Sequence, residues 1–317
     1  MSKQNFIFDL HLDLEVYYRF PKFLNMKFKN LNLLDLKRHG DIPQFTKGNL
    51  KLAVVNIFPF EYYKNEWVHI NINQFFARLE KFLKWLSKYK IFKIIYNKND
   101  LNNILKSKYI GIILGVEGLN FLEKYNQVFL LYEKGIRVIG LNWNKDTKFS
   151  TSLKNTSNRG LNEEGINLIK TIEKLPIVID LAHSSITTFK DILKIYKKPV
   201  IFSHNGIKEV VDFEQNLDKS TLNLLRDTNG LIGLTCLPYS IDINNKISFE
   251  NWYKSFKYIK KEFKNNLAIG TDFFGFKFNE NHNGTKNFLD FSSNLKKFKI
   301  PSYVLFKNAF NLFVKVL

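Results

Sequence analysis

The chain carries one cysteine, Cys236, among 317 residues. No internal disulfide can form, and nothing points to an oxidising compartment. Within LIGLTCLP the thiol reads as a buried, inert side chain. Long apolar runs are also missing. No stretch approaches the ~20 residues of a membrane span, no apolar signal segment precedes the strand that begins near Asn5, and the terminal FVKVL is too short for an anchor signal. A soluble, cytoplasmic protein without a membrane partner is expected. Linkers rich in Pro, Ser or Gly are absent, as are internal repeats, so residues 1–317 are read as a single domain. Arginine is scarce as well: Arg19, Arg38, Arg78, Arg137, Arg159 and Arg226 are the only six of 48 basic residues, and the other 42 are lysine. The net charge of +19 would suit a nucleic-acid ligand. Arginine, however, is the usual tool for bidentate phosphate and base contacts, and these lysines are scattered. A solvated surface is expected, and no nucleic-acid partner.

Apolar residues make up 45% of the chain and aromatics 15%, enough for a packed enzyme-sized core. β-Branched runs predict strands near residues 6–13, 51–58, 109–117, 136–142, 175–181, 199–204, 230–236 and 267–272. Between them, Phe75, Phe76, Leu79, Phe82, Leu83 and Leu86 share a face at helical spacing, opposite Lys81, Lys84 and Lys88. Further helices fit 121–134, 162–174, 186–196, 219–227, 249–264 and 302–315. Regular alternation of strand and helix favours parallel pairing, and eight such strands predict an α/β fold of the (β/α)8 TIM-barrel type. The polar, unperiodic stretch at about 144–161 follows the fourth strand, at the end where catalytic groups gather, and reads as a lid, a substrate-contacting loop or a mobile insertion.

Chemistry-bearing residues stand at the ends of these runs. His11 and Asp13, in FIFDLHLD, lie two apart on a strand and point to one side. Glu117 ends IGIILGVEG, where a buried carboxylate needs a cation or donors nearby. Its two oxygens could bridge cations at the ~3.5 to 4 Å spacing of two-metal hydrolases; a helix cap or a paired core glutamate is the bland alternative. His183 in IVIDLAHSS and His204 in VIFSHNG each close a strand, with Asp180 placed to orient a ligand or to serve a structural ion pair. Asp272 in LAIGTD suits either proton transfer beside a metal-bound water or metal ligation. Three imidazoles and three carboxylates from five separate strands converge only if the strands are parallel, which points to a two-metal hydrolase. His39 and His69 read as surface or structural, and His282, in NENHNG beyond the last strand, as a candidate substrate contact.

With these motifs in view, the chain resembles the renal (membrane) dipeptidase family of binuclear zinc peptidases. The likeness runs through DLHLDL, GVEG, GIRVIGLNWN, RGLNEEGINLIKTIEKLPIVIDLAHSS, SHNGIKEV and IGTDFFG to the helical tail around Asn311. It implies one Zn2+ on His11 and Asp13, a second on His183 and His204, and Glu117 bridging them. It further implies cleavage of a dipeptide amide by a hydroxide bridging the two zinc ions, with Asp272 passing the proton to the leaving amine. Manganese or cobalt suit such ligands too. A homodimer is implied by the habit of the family. On the substrate side the chain departs from it. Trp143, followed by Asn144 in LNWN, stands where the renal enzyme has a histidine. Gln215 stands where the family clamps the substrate carboxylate with arginine, and Phe274 replaces an acid. Lys208 or Arg226 could supply the missing cation, or the substrate is not an ordinary dipeptide. A related barrel amidohydrolase acting on a non-dipeptide amide or lactone, and a noncatalytic barrel that retains metals or binds an acidic partner through its lysines, are the alternative readings.

Overall fold

Runs such as LKLAVVNI and IGIILGVE have no polar break long enough to admit water, and as strands β2 (Leu50–Ile57) and β6 (Ile110–Glu117) every residue of both is buried. A computed structural model describes residues 5–22, 24, 26, 30–155, 157, 159–244, 248–277 and 284–317. Around β2 and β6 the chain adds β1 (Ile7–Leu12), a hairpin of β3 (Phe60–Tyr63) and β4 (Glu66–His69), β5 (Phe92–Ile94), β7 (Ile136–Gly140), β8 (Val178–Asp180), β9 (Ile201–Asn205), β10 (Leu231–Leu234) and β11 (Leu267–Ile269).

The sheet runs β2-β1-β11-β10-β9-β8-β7-β6, and β6 pairs back onto β2 from Leu52↔Gly111 to Ile57↔Val116, so eight parallel strands close into a barrel. β5 pairs only with the start of β6, before β7 joins at Leu114. Helices return the chain between strands. The helix Ile72–Leu86 starts in a capping box of Asn71 and Gln74; the helices Glu163–Glu173 and Ile186–Ile195 start on the side chains of Asn162 and Ser185.

One apolar cluster includes Phe8, Leu10, Leu52, Val54, Ile113, Val138, Val178, Ile201, Leu231 and Ala268. It draws on all eight ring strands, so it fills the lumen, as packed barrel interiors do. On every strand that carries a candidate site residue, that residue lies further toward the C-terminal end than the plug. The helix Asn308–Val316 packs Leu312 and Phe313 into the same cluster. Among the described residues no helix is long and apolar enough to cross a membrane.

All eight expected strands are present, with β8, β10 and β11 shorter than expected. The hairpin Phe60–His69 was not anticipated. Neither were β5 and the helix Phe288–Lys297. The helix expected at 121–134 starts later, as a 3-10 turn at Tyr125–Gln127 that continues as α-helix over Val128–Glu133; ahead of it the Gln127 side chain accepts from the backbone N–H of Glu123 and Lys124. Within the 144–161 stretch, Thr147 and Phe149 through Ser152 are buried. Leu153 N–H donates to the carbonyl of His183 at 2.7 Å, so this part of the stretch braces the barrel rim.

Candidate metal centre

At the C-terminal mouth, β1 slips in register against β2 between Asp9 and Leu12. His11, fully buried, sits within this slip. Asp13 occupies the N-cap position of the short helix Leu14–Arg19 yet makes no capping bond; its carboxylate enters the cavity instead, with Oδ1 buried, without a hydrogen bond, 3.4 Å from His11 Nε2. Glu117 closes β6 and starts no helix. Gly118 follows it at φ +96, a turn that favours glycine. His183, three residues past β8, and Asp272, three past β11, both take left-handed backbone, φ 65 and 60, as does Asn144 at φ 47. Such conformations persist only where surrounding structure enforces them, and they gather at functional sites. Asp272 is held by its own N–H donating to the His11 carbonyl at 3.0 Å and by Phe274 N–H donating to His39 Nδ1 at 2.6 Å.

Asp13, Glu117, His183, His204 and Asp272 line a cavity of about 170 Å3, and His11 is buried against them. Glu117 Oε1 lies 3.0 Å from His183 Nε2 and 3.6 Å from His204 Nε2, and those two nitrogens are 3.0 Å apart. The other oxygen, Oε2, is 3.9 Å from His11 Nε2, and so is Asp272 Oδ1. Two donor groups thus share Glu117, one oxygen each: Glu117, His183 and His204 on one side, His11, Asp13 and Asp272 on the other. Ligands held about 2.0–2.2 Å from a tetrahedral ion lie roughly 3.3 Å from each other, which is the spacing of the first group.

The electrostatics call for a cation. Asp13, Glu117 and Asp272 are all buried, and no lysine or arginine is among the described residues lining the cavity. Burial pushes the Asp272 carboxyl well above the carboxylate range, and the nearby charges of Asp13, Glu117 and Asp9 add to it while His11 opposes. For His11, burial acts to lower the pKa, but Asp13, Glu117 and Asp272 together outweigh it and hold the imidazole well above its ordinary value. His204 goes the other way: burial, then the fields of His11 and His183, keep it neutral and fit to donate a lone pair. Divalent ions suit this excess of buried negative charge, the orphaned Asp13 oxygen and the facing imidazole nitrogens.

The substrate-side residues are here too. Trp143, set edge-on to Phe58 at 4.7 Å, lines the cavity with Trp67, Val16 and Leu237. Asn144 also lines it, with Oδ1 3.2 Å from His183 Nδ1. Gln215 Nε2 lies 3.2 Å from His183 Nε2. Lys208 and Arg226 do not line the cavity; Lys208 pairs with Asp212 and Arg226 with Asp227. His282 falls outside the described residues. His69 is on the surface, but His39 is buried beside the Asp272 turn. Sequence reasoning missed Ser203, Asn56 and Thr271, whose polar atoms meet His11 and Asp9 beneath the cavity.

Residues 1–297 match the model of the family described as Membrane dipeptidase (Peptidase family M19). The chain belongs to this family. Dipeptidase verJ of Clonostachys rogersoniana is 30% identical over 142 residues, 44% of this chain and 37% of that protein. Dipeptidase tcpJ of Claviceps purpurea is 22% identical over 253 residues, 76% of this chain and 59% of its own length. The chain thus spans less than two thirds of each of these curated relatives. In fold it is similar to a metallopeptidase from Rhodobacter sphaeroides liganded with a phosphinate mimic of the dipeptide L-Ala-D-Ala, with a TM-score of 0.80, 16% identity, and 98% and 99% of the two chains covered. The probable dipeptidase PvdM of Pseudomonas aeruginosa gives 0.79 at 14% identity, with 98% and 95% covered.

Proposed function

We propose that the chain is a metal-dependent hydrolase of small dipeptide-like amides, working with two zinc ions. The observation that carries this is the division of Glu117, one oxygen toward His183 and His204, the other toward His11. His11 and Asp13 would hold one ion, His183 and His204 the other, and Glu117 both. Bound divalent ions supply Lewis acidity to a carbonyl oxygen and lower the pKa of water. Asp272, buried with Oδ1 3.9 Å from His11 Nε2, would take a proton from the attacking water and return it to the departing amine. Phe58, Trp67 and Trp143 exclude bulk solvent from one wall and would pack a substrate side chain. The phosphinate dipeptide mimic held by the R. sphaeroides metallopeptidase supports a substrate of two residues.

Gln215 sets the specificity in this reading. A neutral amide cannot form the charge-assisted fork that guanidinium gives a carboxylate, and neither Lys208 nor Arg226 reaches the cavity. A substrate whose far end is uncharged, as in a capped dipeptide, another amide or a lactone, is favoured by that wall. Assays of free dipeptides, capped dipeptides and lactones with added zinc test the proposal. Turnover of at least one class is expected; silence on all of them despite bound metal would overturn it.

A further inference from the structure

Ser203 lies between imidazoles from the two donor groups, whose ring centroids are 3.8 Å apart. Its Oγ is 2.9 Å from His11 Nδ1, 2.8 Å from His204 Nδ1 and 2.5 Å from Asp180 Oδ2. All four residues are buried. Asp180 Oδ1 already accepts the backbone N–H of Ala182 at 3.1 Å and of Ser203 at 3.0 Å, leaving Oδ2 for the hydroxyl. A serine hydroxyl has one proton and two lone pairs. With the proton given to Asp180, both lone pairs face Nδ1 atoms, and both imidazoles are therefore donors there.

We infer that Ser203 is a positioning residue that sets His11 and His204 together: each donates Nδ1–H to one hydroxyl and turns its Nε2 lone pair to the cavity. This rests on the two-metal reading above. An outer partner of a ligating histidine fixes tautomer and ring orientation, and its loss typically costs about 10- to 100-fold in metal affinity. Here one side chain serves a ligand of each ion, so its loss should weaken both. Asn56 offers the competing arrangement. Its Nδ2 is 2.9 Å from His11 Nδ1, and an imidazole that accepts from Asn56 carries its proton on Nε2 and cannot ligate through that atom. In that case Ser203 would govern His204 alone.

The test measures zinc affinities of the full chain by chelator competition and records cadmium-113 NMR spectra of the cadmium-loaded protein. For Ser203→Ala, both affinities should fall by about 10- to 100-fold and both cadmium resonances should shift, with the circular dichroism of the parent retained. Asp180→Asn turns an amide donor toward Ser203, swings the hydroxyl O–H to donate to the Nδ1 of one imidazole, and should weaken at least one ion without touching a ligand. That second variant decides the matter if the first does not fold. Unchanged affinities in both variants, or a change in Ser203→Ala confined to one ion, would overturn the inference. Failure of the parent chain to bind two ions would instead remove the metal reading beneath it.

Discussion

Glu117 Oε1 and His183 Nε2 meet at 3.0 Å, one from the last residue of an unbroken strand and the other from a left-handed residue three positions past a different strand. Burial raises the glutamate pKa, yet the field of His11 and the bond and charge of His183 outweigh it, and the carboxyl ends below its ordinary range. Glu117 is therefore an anion that faces both donor groups. Glu117→Gln keeps the shape and removes that charge. Its metal affinity should fall by more than the roughly 100-fold that loss of an outer partner costs at most, and the rise in Tm produced by added zinc should disappear.

Asp272→Asn separates chemistry from metal retention. An amide of the same size can sit in the turn fixed by His11 and Phe274 but cannot carry a proton between water and amine. The kcat should drop by roughly 10^2 to 10^4, the usual contribution of a positioned acid–base group, with two ions per chain still found by elemental analysis. A noncatalytic barrel would show no turnover to lose.

How far these residues could be read from the sequence depended on whether a single segment carried the signal. The eight ring strands are apolar runs, and in β6, β8 and β9 the run closes on a polar residue, so strand, barrel end and site residue are read from one stretch such as IGIILGVEG. The hairpin at Phe60–His69 was hidden because FEYY and EWVH are short, mixed and mostly exposed. The helix Phe288–Lys297 was masked by its Ser and Asn content, although Asn287 caps it through Asp290 N–H. Ser203 gave no signal at all. In IFSHN it is an ordinary strand residue, and its role arises only when β1, β8 and β9 are brought together.

Gln215 stands over the second donor group, 3.2 Å from His183 Nε2 and 3.5 Å from His204 Nε2. Gln215→Arg would place a guanidinium where a substrate carboxylate could reach it. Hydrogen bonds to charged groups contribute about 1.5–3 kcal/mol, so KM for free dipeptides should fall roughly 10- to 100-fold relative to the matching C-terminal amides. Comparing kcat/KM for one dipeptide and its amide in both proteins checks this. An unchanged ratio would mean that Gln215 does not face the substrate's end.

Asp9 gives the metal-free protein a pH dependence of definite sign. Burial lifts its carboxyl from 3.8 to about 6, against the opposing bonds from Thr271 and the His11 N–H. Between these values the folded chain holds a proton that the unfolded chain has released. The folded state therefore gains as pH falls through 6 toward 4, and that gain is lost as pH rises through 6. At neutral pH the ionised Asp9 costs on the order of 3 kcal/mol. Asp9→Asn removes the titration while its amide oxygen still accepts from Thr271 or His11 N–H. Its stability relative to the parent, measured by urea unfolding in chelator, should thus improve by up to that amount between pH 4 and pH 7.5. A constant difference across this range would place the Asp9 pKa near its ordinary value and make the barrel floor polar enough to hold the anion without cost.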